Sequence, residues 1–253
     1  MSAIVLSLTS FALILCGALL GAFLRNALPG HHLADDAKDV VRLGAGLVGT
    51  IAALVLGLLI AAAKGSFDTQ SSQVRQMTAS IVLLDRVLAQ YGAETRPARD
   101  LLRGAVGSLV ARIWGENRSE AAKEAPFAAT ATAEDTYGSI LALSPQTDAQ
   151  RALKDRAIQI STDVAQARLL LFEQSDDAIP MPFLAVLVFW LTIIFASFSL
   201  FARLNATLIA ALVVFALSAS AAIFLVLELS QPFAGMMQIS SAPLRNALAP
   251  LGP

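Results

Sequence analysis

The chain has 253 residues, with 18 Lys+Arg against 19 Asp+Glu and a formal net charge of -1. Hydrophobic residues make up 56% and charged residues 15%, where a soluble domain runs at about 45–50% apolar and about 25% charged. That balance excludes a soluble enzyme and marks an integral membrane protein. The near-zero charge also excludes a nucleic-acid binder, which needs a basic excess to displace counterions. The single Cys16 excludes an intrachain disulfide and a Cys-based zinc site.

Residues 3–24, 43–63, 181–202 and 204–227 carry no charge. A helix needs about 20 apolar residues to cross the hydrocarbon, so each is expected to span. No Lys or Arg precedes Arg25, so the first reads as an uncleaved span, not a signal peptide, with Cys16 as a buried filler. Pro29-Gly30 ends it. The last two spans, separated by Arg203 and Asn205, form a tight hairpin, and Glu228 at its end is expected to snorkel to the interface.

Between the second and third spans, residues 65–179 hold most of the charge and read as a helical extramembrane domain. Val74, Met77, Ile81, Leu84, Leu88 and Tyr91 recur at spacings of three and four, a short heptad seam. No Pro interrupts the chain from Leu43 to Tyr91, which predicts one continuous helix stopped by Gly92. Pro97 opens the next helix, with Leu101, Leu102, Ala105, Leu109 and Ile113 as its apolar stripe. Residues 116–128 read as a loop, and Tyr137, Ile140 and Leu141 mark a weaker helix. Ser144-Pro145 starts a further helix with Leu153, Ala157, Ile160, Val164 and Leu171, running toward Gln174. In the tail, Pro232 to Gly235 is a turn, and Ser241 with Pro243 starts a short helix.

The architecture is therefore an all-α membrane protein with four transmembrane helices and a helical domain inserted between spans 2 and 3. Its parts are a first hairpin (1–64), the inserted domain (65–179), a second hairpin (180–228) and a tail (229–253).

Leu28-Pro29-Gly30-His31-His32-Leu33 and Asp39-Val40-Val41-Arg42-Leu43-Gly44 resemble a bacterial membrane family described as bestrophin-like. So do Ala53-Leu54-Val55-Leu56-Gly57-Leu58, Ala63-Lys64-Gly65-Ser66-Phe67-Asp68, Leu83-Leu84-Asp85-Arg86 with Tyr91-Gly92, and Pro232-Phe233-x-Gly235. The resemblance covers nearly the whole chain. It implies an oligomeric anion channel with four spans and a cytosolic helical part between the second and third. Lys and Arg counts near the spans do not decide the orientation. The resemblance implies the bacterial inner membrane with the helical domain in the cytosol.

Thr50, Ala53, Gly57 and Ala61 make a small-residue face on the second span, and Lys64 continues it. Two readings stand. Small residues let backbones approach, so the face packs against a helix; or it lines a pore shared by subunits, with Lys64 as a basic ring at the mouth. No charge lies inside a span, which argues against a proton relay or ion-coupled carrier. His31, His32, Asp35, Asp36 and Asp39 contain metal-ligand types, although a solvated cap with Asp residues near a helix N-terminus accounts for them better. Asp85 and Arg86 sit on the long helix that ends at Tyr91, and Arg99 or Arg103 of the next helix would pair with Asp85 and fix the hairpin. No nucleophile–His–acid set exists, so no enzyme and no cofactor is expected. The sequence reads as a homo-oligomeric channel in lipid that passes inorganic ions. The alternative is a non-conducting scaffold or sensor whose helical domain binds a protein.

Overall fold

The structure is a computed structural model and describes residues 3–29, 35–114, 131–174, 181–202 and 205–248. These form helices α1 (Ala3–Ala27), α2 (Asp35–Tyr91), a 3-10 turn (Ala93–Thr95), α3 (Arg96–Trp114), α4 (Ala131–Leu141), α5 (Asp148–Gln174), α6 (Met181–Phe201), α7 (Ala206–Leu229) and α8 (Ala242–Leu248), with no strand among the described residues. Four of them, α1, α2, α6 and α7, are long and apolar enough to cross a membrane. The chain divides into two compact units: Met1–Phe67 with Ile179–Gln231, and Asp68–Ala178 with Pro232–Pro253. The tail from Pro232 thus belongs to the second unit.

In the first unit, α1 meets α6 through glycine. A Cβ at Gly17 would lie 2.5 Å from Thr192 Cγ2 and 2.7 Å from the Thr192 carbonyl oxygen, and one at Gly21 would overlap the Ala196 carbonyl. The four-residue spacing of Gly17 and Gly21 puts both on one side of α1, which is how membrane helices bring backbones together. Against α7, Ser220 Oγ donates to the Ser7 carbonyl at 2.6 Å. Two apolar clusters fill the space between. Ile14, Ala18, Phe195, Leu212 and Ala216 form one. The other gathers Ala52 and Leu59 of α2 with Leu184, Leu187, Ile223 and Val226.

The helix ends are closed individually. The Arg25 guanidinium donates to the Ala202 carbonyl just past α6, a cation at a helix C-terminus. Asn205 caps α7, its side-chain oxygen accepting from Leu208 N at 2.7 Å.

Two expectations fail here. Cys16 is exposed on the protomer, because the buried positions Ile14, Gly17, Ala18 and Gly21 fix the inward face of α1 and residue 16 falls outside it. Glu228 does not snorkel: it is 3% exposed, enclosed with Val226, Leu227 and Leu229 where α7 ends.

The second unit is built on the lower part of α2. Val74, Met77, Ile81, Leu84, Leu88 and Tyr91 are all buried. The seam also runs upward through Gln70, Ala63, Leu59 and Ala52, all buried at steps of four or seven, so one side of α2 is covered along most of its length. Gly92, at φ 134, ends the helix in a conformation that only glycine adopts without strain. Thr95 Oγ1 then faces the Leu88 carbonyl at 2.5 Å and the Gly92 carbonyl at 2.8 Å.

Along α3 the buried stripe is Ala98, Leu102, Val106, Val110 and Ile113. It is rotated from the expected one, leaving Leu101, Ala105 and Leu109 half-buried. Helix α5 starts at Asp148, later than Ser144-Pro145. The Thr147 hydroxyl accepts from Gln150 N at 3.1 Å and so caps it. Lys154 Nζ reaches back to the Leu141 and Leu143 carbonyls at 2.7 and 2.8 Å and closes the end of α4. The expected loop at 116–128 lies outside the described residues. In the tail, Trp114 Nε1 donates to the Ile239 carbonyl at 2.8 Å and its ring meets Phe233 edge-on at 5.9 Å, with Ile239 and Leu244 buried.

Two substitutions test this packing by thermal unfolding of the purified protein. Gly21→Leu drives a side chain into the α6 backbone and is expected to cost at least about 1–3 kcal/mol, with Leu20→Ala on the exposed side of α1 near neutral. Gln73→Pro removes a hydrogen bond from the continuous α2 and is expected to cost about 3 kcal/mol or more, with Gln73→Ala as control. Unchanged melting in either would contradict the corresponding contact.

Candidate functional site

Helix α2 is the least covered of the four long helices. Of the residues in its most apolar stretch 11% are buried, against 28–33% in the others. With 3.6 residues per turn, its surface divides into three strips. One is the buried seam. The second carries Leu43, Leu47, Leu54 and Leu58, which are 65–76% exposed. The third carries Thr50, Ala53, Gly57, Ala61 and Lys64, every one exposed.

The structure therefore brings the five small-face residues together and turns them away from the other helices of the same protomer. A Cβ at Gly44, Gly46, Gly57 or Gly65 would meet nothing within 4 Å, and one at Gly49 only Ile194 Cδ1 at 3.8 Å. The small face is not used for packing within the chain; that role falls to Gly17 and Gly21.

Thr50 Oγ1 donates to the Gly46 carbonyl at 3.0 Å. Its hydroxyl proton is thus committed to its own helix. Lys64 Nζ stands 5.5 Å from the centre of the Phe67 ring, a cation–π contact that holds the ammonium at the end of the strip. Phe67 was overlooked by the sequence reading. Its signal was there, three residues beyond Lys64 and hence on the neighbouring turn.

The metal-ligand candidates do not assemble among the described residues, where no group of three or more His, Cys, Asp or Glu occurs. His31 and His32 lie outside the described residues, as does the Asp35 side chain. Asp36 and Asp39 are exposed in the first turns of α2, where the helix dipole favours carboxylates.

Asp85 is buried and receives a two-pronged contact from Arg99, Nε to Oδ1 at 2.7 Å and a terminal nitrogen to Oδ2 at 3.0 Å. The hydrogen bond to Asp85, against the cost of burial, raises the Arg99 pKa above its ordinary value. Arg103 pairs with Asp100 at 3.1 Å, and Arg86 is exposed on the other side of α2. Burial, with the Glu94 carboxylate second, raises the Tyr91 phenol. The Asp85–Arg99 pair thus ties α2 to α3 across the Gly92 turn. It offers no nucleophile and no proton donor to a substrate; its role is mechanical.

A family profile described as a bestrophin-like domain matches residues 12–244. A crystal structure of a bacterial bestrophin homologue from Klebsiella pneumoniae, carrying a point mutation, superposes with a TM-score of 0.60 at 15% sequence identity. The match covers 96% of this chain and 98% of that one. No curated protein matches the sequence.

A double-mutant cycle measures the tie. Asp85→Ala leaves the half-buried Arg99 guanidinium without its carboxylate and is expected to cost about 1.5–3 kcal/mol, the worth of hydrogen bonds to a charged group. Asp85→Ala with Arg99→Ala should cost less than the two singles added, by about 0.5–3 kcal/mol. Additive losses in urea or thermal unfolding would show that the contact carries no coupling.

Proposed function

Because the chain belongs to the bestrophin-like family, we propose that it is a passive ion channel of the bacterial inner membrane, an oligomer that prefers anions and conducts through a path lined by α2. The family's members are channels rather than enzymes. The observation that carries the pore assignment is the outward strip Thr50, Ala53, Gly57, Ala61 and Lys64. In a ring of subunits such a strip faces a common axis, while the neighbouring leucine strip meets lipid or the adjacent subunit. Small residues leave the axis wide, and no ionisable group between Leu43 and Ala63 traps an ion at depth. Lys64 from each copy makes a ring of positive charge at one mouth.

At about 1.5 Å per residue the 57 residues of α2 extend about 85 Å, well beyond the ~30 Å hydrocarbon core. Its lower half, with α3, α4 and α5, is therefore assigned to the water phase, on the cytosolic side by analogy with the family. The scaffold reading has no comparable observation behind it among the described residues.

Lys64→Glu tests the mouth. The residue is exposed, so assembly is expected to persist while the reversal potential in a salt gradient shifts toward cations. The shift should shrink at high salt, because an open mouth is screened over about 8–10 Å near physiological ionic strength. Identical reversal potentials at low salt would remove the pore assignment, and an intact oligomer that never conducts would favour the scaffold.

Topology is tested in a Cys16→Ser background. Cysteines at Asp36 and at Asp163, both exposed, should react with an impermeant maleimide from opposite sides of the membrane. Reaction from one side would refute the crossing by α2.

A further inference from the structure

Helices α2, α3, α4 and α5 line a half-open cavity of about 360 Å³ in the second unit. This lies at the small end of the range of about 300–1,000 Å³ that holds bound small molecules, on the order of ten heavy atoms. Its inner wall is Met77, Ile81, Leu102 and Val106, all buried. Half-buried Leu109 and Val164 continue it outward. The rotation of α3 away from its expected stripe is what opens this space, since Ala105 and Leu109 line it instead of closing it.

The rim is chemically one-sided. Four hydroxyl-bearing residues line the cavity, and three give their proton to their own helix: Thr136 to the Thr132 carbonyl at 2.8 Å, Ser161 to Ala157 at 2.8 Å and Thr162 to Ile158 at 3.0 Å. The donors left are the phenol of Tyr137, at the exposed edge, and the charged guanidinium of Arg168. That guanidinium is half-buried and makes no hydrogen bond or ion pair with another described residue. The one lining carboxylate, Glu134, is exposed and does not reach it. Burial lowers the Arg168 pKa, Glu134 opposes that and Arg112 reinforces it, but a guanidinium keeps its charge. Among the described residues, the charged groups lining the cavity are Arg168 and the exposed Glu134, and Arg112 lies close enough to Arg168 to add to the positive charge there.

We propose that this cavity binds a small amphipathic monoanion, of which a medium-chain carboxylate is the simplest representative. Its apolar tail lies against Met77, Ile81, Leu102 and Val106, and its carboxylate takes the paired N–H donors of Arg168. A neutral apolar molecule would leave the guanidinium half-buried and uncompensated. An amphipathic cation would set its charge beside Arg168 and Arg112. The proposal does not depend on ion conduction.

The test uses the full chain in phosphatidylcholine nanodiscs and an octanoate carrying a diazirine on its chain. After irradiation, peptide mass spectrometry is expected to find the label on segments 77–84 and 102–109. Octanoate should compete, with octanol and octyltrimethylammonium at least about tenfold weaker, the loss that follows from removing a charged hydrogen bond. Arg168→Gln should weaken labelling by about tenfold or more, Arg168→Lys should restore part of it, and Leu109→Trp, which fills the cavity, should abolish it. Label confined to the membrane spans, equal competition by the alcohol or the cation, or undiminished labelling of Arg168→Gln would overturn the proposal. So would efficient crosslinking between copies through Tyr137→Cys and Ala165→Cys, since a neighbouring copy would then cover the mouth. The wild-type competition series decides the matter even where a variant does not fold.

Discussion

Hydrocarbon offers no partner to a peptide N–H or C=O, and the first unit is organised around that constraint. Each span is an unbroken helix, and backbone groups at several of the described ends find partners. Arg25 serves the Ala202 carbonyl, Asn205 the Leu208 amide, and Ser230 N returns to the Val226 carbonyl at 3.2 Å. The same economy governs side chains. The hydroxyls of Thr9, Ser10, Thr50, Thr192, Ser197 and Ser218 all bond the carbonyl four residues back. Ser199 of α6 is the exception, its hydroxyl buried with no hydrogen-bond partner among the described residues.

Once polar groups are satisfied within each helix, lipid supplies no hydrophobic force to press helices together. Close fit has to do it. That explains why Gly17 and Gly21 sit where α1 meets α6, and why α2 can afford so little contact with its own protomer. A helix with two uncovered strips is an element whose remaining neighbours are lipid, water or other copies. The shared fold at 15% identity with the Klebsiella pneumoniae homologue fits this picture. Such a layout constrains residue size and polarity at each position far more than residue identity.

Much of this was legible from residue order alone. Uncharged runs located the four long apolar helices, the absence of Pro gave the continuous α2, and Gly92 gave its end. These are local properties, fixed by length and backbone chemistry. Positions that depend on a neighbouring element were not legible. The facing of Cys16 follows from where α6 lies, and the burial of Glu228 from what surrounds the end of α7. The Thr147 cap displaced the expected start at Ser144-Pro145 because a proline is compatible with a turn as well as with a first helical position. In the candidate site, the sequence grouped Thr50, Ala53, Gly57, Ala61 and Lys64 on one face, since helical spacing alone decides that. Whether the face was bare required the other helices. The Gly17–Gly21 spacing was in plain view but competed with several other glycine pairs. The cavity arises from the phase of α3 against three other helices, which no single segment encodes.

The covered seam of α2 runs in one phase from Ala52 to Tyr91, through membrane-spanning and domain portions alike. Each residue turns a helix by about 100°. Adding or removing one residue between Lys64 and Gln70 would therefore turn every later position of the helix by a quarter-turn or more, so that Val74, Met77 and Ile81 would no longer continue the line of Ala52, Leu59 and Ala63. Changes of seven residues, or of eleven, would return nearly to phase. The helix is consequently less free to vary in length here than a loop would be. Length variation among natural relatives should accumulate at the ends of α2 and not within it.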